Sequence, residues 1–239
     1  GVVETNDGGY VVFASAYLPS AVDNRPWLIK LDSDGNTVWS SENGLTQQVT
    51  VDSAIVRGFE RDDGSLVIVG GTNSFTNVQR PWVATASASG ELQSFAVYPS
   101  LATGYGEGTY IEDIASTPDG GFVLVGGSSP PLPGRAFLWK FGADLAPAWV
   151  QIYDDIFVRV AFGVEVASDG GYLLAGCEVA NCTDAVLVKT DSQGAVEWHQ
   201  RYNLPLYNEG RDVIERPGGG YLLLQTSVDA AGSTSYSTD

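Results

Sequence analysis

Histidine occurs once in the 239 residues, at His199, methionine does not occur, and lysine is confined to positions 30, 140 and 189. A single histidine excludes a His-based proton relay and a multi-histidine metal centre within the chain. It follows Trp198 on an outer strand, where a surface role is the plain reading. Cysteine is limited to Cys177 and Cys182, with four residues between them and no neighbouring Cys or His to complete a zinc site. A disulfide pinning one loop is preferred to two free thiols and implies an oxidising compartment. No run approaches the ~20 apolar residues of a membrane-spanning helix. Cations are scarce too: 12 Lys and Arg against 29 Asp and Glu give a formal charge of −17. Such a chain repels nucleic-acid phosphate and anionic headgroups, so neither nucleic acid nor membrane insertion is expected. The acidic excess reads as solvation of the surface. No signal peptide is visible, and because Gly1 already lies inside a repeat, that says nothing about targeting.

What is present is 44% hydrophobic and 11% aromatic sequence with 29 glycines, the composition of a packed, turn-rich β-protein. An Asp-Gly or Gly-Gly turn followed by an apolar run occurs five times: NDGGYVVFASA from Asn6, DDGSLVIVGGT from Asp62, PDGGFVLVGGS from Pro118, SDGGYLLAGCE from Ser168 and PGGGYLLLQTS from Pro217. The glycines supply the positive φ of a tight hairpin turn. A second hairpin follows, WLIKLDSDGNTVW at residues 27–39, with copies beginning at Trp82, Phe137 and Ala185. Before each first turn lies another short strand, such as AIVRGFER from Ala54 or RDVIERP from Arg211.

Each repeat therefore reads as four antiparallel strands: a before the first turn, b after it, c ending near Lys30 or its equivalent, and d carrying a tryptophan. Repeats of roughly 50 residues with this content predict an all-β fold, a β-propeller of four-stranded antiparallel blades. Four are complete and a fifth is partial, at approximately 1–49, 50–105, 106–156, 157–207 and 208–239, in a single propeller domain or part of one. Strands b and c are apolar on both faces, as blades covered on both sides require. No window sustains a helical period, which excludes helical solenoids; a parallel β-helix is the structural rival, but its coils lack tight Asp-Gly hairpins. The chain begins at strand a and stops after strand b of the fifth copy, and is expected to be an excerpt of a longer chain.

These motifs resemble the repeats of bacterial secreted and surface β-propeller proteins, of the form D-G-G-Y then W-L-I-K-x-D-x-x-G-x-x-x-W. The best matches are Asp7 to Tyr10 with Trp27 to Trp39, and Asp169 to Gly176 with Val186 to Trp198. The resemblance spans the chain and implies the fold and an extracellular, cell-surface or periplasmic setting. Copy two departs with Thr85 for Lys and Ser94 for Trp, and copy three with Leu145 for the turn glycine. The spacing differs from the Asp box of sialidase-like propellers. It is closer to the repeats of quinone-dependent dehydrogenases and outer-membrane assembly lipoproteins, although the calcium site and catalytic Asp of a quinone enzyme are not identifiable.

Several residues are candidates for chemistry. Asp32 and Asp34 in LDSDGN have the oxygen spacing of a calcium loop but lack its distant bidentate Glu, so a plain turn is the first reading. Adjacent carboxylates, Glu112 with Asp113 and Asp154 with Asp155, have the chemistry for glycoside hydrolysis, but adjacency alone carries little. Strand a usually lines a propeller channel, and aligning the copies places Arg57, Asp113, Gly163 and Asp212 at one position and Glu4, Glu60, Ser116 and Glu215 at another. Arg57, Asp113 and Asp212 are thus candidate ligand-binding residues, with Tyr105, Tyr110 and Tyr207 of the d-to-a loops as aromatic candidates. The tryptophans at 27, 39, 82, 139, 149 and 198 are expected in the packing between blades. With no catalytic set assembled, the leading expectation is a non-enzymatic extracellular structural or protein-interaction module, without a cofactor. Its partners would be other subunits or the rest of a longer chain. A carbohydrate- or small-ligand-binding propeller, with glycans as ligands, is the alternative, and a fragment of a propeller enzyme such as a quinone-dependent dehydrogenase the third reading.

Overall fold

A computed structural model describes residues 1–18, 23–41, 53–72, 79–101, 108–128, 134–153, 158–178, 182–203, 207–228 and 234–238. These hold strands and turns, and no helix among them is long and apolar enough to cross a membrane. The chain divides into two compact units, Gly1–Ile111 and Glu112–Asp239.

In the first unit, blade 1 is β1 (Val2–Glu4), β2 (Tyr10–Leu18), β3 (Asp23–Leu31) and β4 (Thr37–Ser40), hydrogen-bonded in that order. Blade 2 repeats it with β5 (Ser53–Glu60), β6 (Leu66–Thr72), β7 (Arg80–Ala86) and β8 (Leu92–Val97). Blade 3, whose first strand crosses the boundary into the second unit, is β9 (Thr109–Ser116), β10 (Phe122–Ser128), β11 (Ala136–Phe141) and β12 (Pro147–Ile152). Blade 4 follows as β13 (Val158–Val166), β14 (Tyr172–Glu178), β15 (Asp184–Thr190) and β16 (Val196–Tyr202), joined to blade 3 by one bridge, Gly127 with Val160. Blade 5 has β17 (Tyr207–Glu215), β18 (Tyr221–Val228) and β19 (Thr234–Thr238). Every pairing is antiparallel, and the fold is the β-propeller expected from the repeats.

Local chemistry explains the hairpins. In the first turn of blade 1 Thr5 N donates to Gly9 O and Gly8 N to Thr5 O, with Gly8 at φ 78°. The same bond pair recurs in the second turn of blade 1, in both turns of blades 2 to 4 and in the first turn of blade 5, each with a residue in the left-handed region. Leu145 holds that position in blade 3 at φ 67°, and the turn forms all the same, with Gly142 N donating to Ala146 O at 2.9 Å. The missing glycine thus costs backbone strain, about 1 kcal/mol for a side chain in this region, and leaves the hairpin in place.

The b and c strands are buried on both faces: Tyr172–Glu178 and Asp184–Thr190 contain no exposed residue. Their side chains form cores between consecutive blades, such as Val11, Phe13 and Leu28 of blade 1 against Leu66, Ile68 and Trp82 of blade 2. Tryptophans of the d strands reach the next blade. The Trp39 ring lies where a Cβ on Gly90 would come within 2.6 Å, and its Nε1 donates to Ala88 O at 3.1 Å. Trp149 covers Gly194 in the same way, and Trp198 meets Tyr221 at 5.6 Å between ring centres. Cys177 and Cys182 are joined in a disulfide with their Cα atoms 4.9 Å apart. Asn208 of β17 anchors that loop, its N donating to Cys182 O at 3.0 Å and its Nδ2 to Thr183 O at 3.2 Å.

Candidate functional site

Within the second unit the first strands of three consecutive blades, β9, β13 and β17, bring the acidic residues of strand a together. Their level is fixed by two contacts. Asp113 Oδ2 accepts a hydrogen bond from Val164 N at 3.0 Å, and Gly163 lies so close to β17 that a Cβ there would sit 2.8 Å from Arg211 O and 3.0 Å from the Asp212 Cα. Only glycine permits that approach. Asp113, Gly163 and Asp212 thus form one row across the strands, and Glu112, Phe162 and Arg211 the row before it. The β13–β14 and β17–β18 ladders slip at Phe162 and at Arg211, a β-bulge of the kind that re-aims side chains.

Charge defines the site. Burial pushes the Glu112 carboxyl above its ordinary range; the Arg211 guanidinium opposes this, while Glu209 and Asp113 add to it. Glu165, two residues beyond Gly163 on β13, is pushed up first by burial and then by Asp212, Glu215 and Asp113. Asp113 is only 5% exposed. Asp212 Oδ1 accepts from Val213 N at 2.8 Å. Arg211 lies over the Phe162 ring, 4.5 Å from its centre, and is ion-paired to Glu209. Carboxyls pushed upward by burial beside other carboxyls and a guanidinium give the set the groups for acid–base chemistry.

The other expected residues fall elsewhere. Arg57 is exposed on β5 of the first unit. Tyr110 is half-buried, and both it and Tyr207 lie in strands β9 and β17, not in the loops expected for them. Tyr105, Asp154 and Asp155 lie outside the described residues. Glu60 and Glu215 serve the frame, accepting from Asn6 N and Ser168 N of the preceding blade, each at 2.6 Å. Asp32 Oδ1 accepts from Asp34 N at 3.0 Å and Asn36 N at 2.8 Å, so its carboxylate shapes the turn, and Asp34 is exposed. Among the described residues no group of three or more His, Cys, Asp or Glu is placed to hold a metal ion. His199 is exposed on β16. Glu165, Glu209 and Arg211 were not anticipated; extending the alignment of the a strands by one and two positions around Gly163 would have found Glu165 and Arg211.

No protein family and no curated protein is matched by the sequence. Solved structures are. The chain is similar to a GH43_1 enzyme from Xanthomonas citri at 12% identity and a TM-score of 0.51, covering 98% of this chain and 88% of that one. An exo-β-1,3-galactanase from Clostridium thermocellum aligns at 14% identity and 0.55, over 100% of this chain and 57% of that one. A GH43 β-1,3-galactosidase solved with galactodeoxynojirimycin aligns at 10% identity and 0.55, over 100% and 88%. At these identities the likeness shows the fold. It also corrects the leading expectation: these three solved propellers, which this chain follows along its length, are enzymes, an exo-β-1,3-galactanase and a β-1,3-galactosidase among them, not non-enzymatic structural or protein-interaction modules. The expectation rested on the absence of an assembled catalytic set. The acidic set that the structure brings together assembles between strands about 50 residues apart.

Proposed function

We propose that this chain is a carbohydrate-processing β-propeller, or the propeller part of a longer such protein, and that the acidic rows of β9, β13 and β17 are its active site. The observation that carries this reading is the meeting of β9, β13 and β17, where Asp113 accepts from Val164 N and Gly163 packs on Asp212; Glu112 and Glu165 lie beside these contacts, two carboxyls pushed upward by burial, one opposed by a cation and the other not. Divergent environments for paired carboxyls are what acid–base hydrolysis of a glycosidic bond needs. In this reading Glu165, pushed up by burial and by the negative charge of Asp212, Glu215 and Asp113, is assigned as the proton donor, and Glu112, whose upward push by burial is opposed by Arg211, as the second carboxyl. The disulfide and the resemblance to secreted propeller repeats support an extracytoplasmic setting. The names of the similar structures make β-1,3-linked galactosyl glycans the first substrates to try.

The test is hydrolysis of aryl β-galactosides and β-1,3-galacto-oligosaccharides by the chain and by Glu165→Gln. Loss of a general acid lowers kcat by about 10²–10⁴. In the parent protein the rate falls as pH rises and Glu165 loses its proton. Removing one negative neighbour by Asp212→Asn moves that fall to lower pH, because the proton is then held less tightly. Turnover that is indifferent to Glu165→Gln across the pH range refutes the assignment.

A further inference from the structure

The disulfide of blade 4 lies beside the start of β17, the strand that carries Glu209, Arg211 and Asp212. Cys177 is buried near the end of β14, and Cys182 is half-buried just ahead of β15. Cys182 is held at φ 48°, in the left-handed region where glycine is the ordinary occupant. In that conformation Cys182 O accepts from Asn208 N at 3.0 Å, and Thr183 O accepts from Asn208 Nδ2 at 3.2 Å. Asn208 is fully buried, and its Oδ1 accepts from Ser227 Oγ of β18 at 2.7 Å. Two residues on, a Cβ on Gly210 would come within 3.1 Å of Gly176 N and O, so β17 runs hard against β14 beside Cys177.

The blade 4 hairpin has its own fastening. Glu178 and Asp184 face each other in the β14–β15 ladder, and Arg201 of β16 is ion-paired to both. With those contacts holding the strand ends, what the disulfide fixes is Cys182 and Thr183, the two residues that accept from Asn208. Once the bond opens, Cys182 is free to leave a backbone conformation that costs a side chain energy, and its carbonyl turns away with it.

We propose that the Cys177–Cys182 bond is a redox latch on β17. Closed, it keeps the two carbonyls on Asn208 and holds the start of β17 against blade 4. Opened by a dithiol, it frees that start while the hairpin stays paired. One thiolate of the dithiol attacks Cys182 Sγ, the more accessible sulfur, and the Cys177 sulfur leaves and takes up a proton. The second thiolate then closes the cyclic disulfide of the reductant and releases Cys182 as a thiol, so that two electrons pass to the protein. The latch is shut in an oxidising compartment and opens where dithiols are abundant. Its consequence for turnover rests on the carbohydrate-processing reading; the latch itself does not.

The experiment is hydrogen–deuterium exchange by mass spectrometry on the whole chain with and without excess dithiothreitol, with alkylation in denaturant counting the opened cysteines. Exchange over residues 207–212 is expected to rise about tenfold on reduction, while peptides of β14, β15 and the first unit stay within about twofold. Cys177→Ala with Cys182→Ala reproduces the reduced state without reductant. Cys177→Ala with Cys182→Gly lies between the two, because glycine takes the left-handed conformation freely. Asn208→Ala gives fast exchange that dithiothreitol no longer changes. Cysteines that stay unalkylated, residues 207–212 that exchange alike in both states, or β14 and β15 loosening along with them would each overturn the proposal. If β17 loosens as expected and no glycan is cut in either state, the latch stands and the carbohydrate reading falls.

Discussion

Blade 2 differs from blades 1, 3 and 4 at one constellation. In those three blades the chain's only lysines lie buried, at 7%, 7% and 2% exposure for Lys30, Lys140 and Lys189, and each reaches back from strand c to the aspartate of the first turn. Lys30 Nζ meets Asp7 Oδ1 at 2.8 Å, Lys140 meets Asp119 Oδ2 at 2.9 Å, and Lys189 meets Asp169 Oδ2 at 2.8 Å. Each also donates to the carbonyl of the next residue, at 3.2, 2.8 and 2.8 Å. Blade 2 has Thr85 in place of the lysine, and its hydroxyl bonds the Ser94 hydroxyl at 2.6 Å; Asp63 turns instead to Ser65. A third change accompanies these: Ser65 stands where the latched blades have Gly9, Gly121 and Gly171. The repeat is therefore a correlated unit of turn aspartate, glycine and buried lysine, and replacing the lysine goes with giving up the glycine.

The largest expected effect breaks the latch sterically. A Cβ on Gly171 would lie 2.1 Å from Thr190 O and 2.5 Å from Lys189 Nζ. Gly171→Ala is expected to cost on the order of 2–3 kcal/mol in urea denaturation, because a backbone carbonyl and a buried ammonium must both give way. Ser65→Ala, at the corresponding place in blade 2, is expected to cost less than about 1 kcal/mol, the usual size of a surface change that loses one hydroxyl contact. Equal costs at the two positions would show that the lysine is not what the glycine serves.

A smaller effect separates two latched blades. Asp119 is held down to about 2 by the Thr117 hydroxyl and Lys140, whereas Lys189 has a second carboxylate, Glu197, at 3.1 Å beside Asp169. Asp119→Asn leaves a buried ammonium with the Phe141 carbonyl and no full charge to answer it, so at pH 7 it is expected to lower the urea midpoint more than Asp169→Asn does. The sign with pH is fixed. The folded state holds the Asp119 proton less tightly than the unfolded chain, whose value is 3.8, so this contribution is present above about 4 and lost as pH falls towards 2. Denaturation midpoints across that window should fall less steeply in Asp119→Asn than in the parent; the same slope in both would remove the latch from the account of acid stability.

The frame was legible in the sequence because its signals are local. Turn glycines, apolar runs and tryptophans each act over a few residues, and the nineteen strands among the described residues follow the a-to-d order read from them, with three in the last blade. The latch was only half legible. The three lysine positions were plain, but their partners lie 21 to 23 residues away in blades 1 and 3, across a hairpin whose register had first to be known. The candidate site was the least legible part. Asp113 and Asp212 were found by aligning the a strands; Glu165 and Arg211 lie within two positions of that alignment, but nothing local marks them until the three strands are set side by side. Leu145 runs the other way: the sequence expects a loosened turn, and the backbone makes the turn regardless because its hydrogen bonds outweigh one unfavourable φ.

The smallest expected effect is also the one that tests whether the latch is a unit. Thr85→Lys alone removes the Thr85 to Ser94 bond and brings an ammonium into a blade whose turn carries a Cβ at Ser65, where the latched blades place Nζ within 2.5 to 2.6 Å of the glycine's missing Cβ. It should destabilise blade 2. Adding Ser65→Gly clears that space and frees Asp63, which now accepts from the Ser65 N and hydroxyl at 2.9 and 2.6 Å, to meet the new charge. The double variant should therefore be more stable than the sum of the two single changes by about 1 kcal/mol, a coupling of the size found between residues in direct contact. Ser65→Gly by itself gains nothing from the space and loses backbone stiffness, so it should be mildly unfavourable. A cycle that closes additively would mean that glycine and lysine occur together in three blades for separate reasons, and that blade 2 is a neutral variant of the repeat instead of one that exchanged a charged latch for a hydroxyl pair.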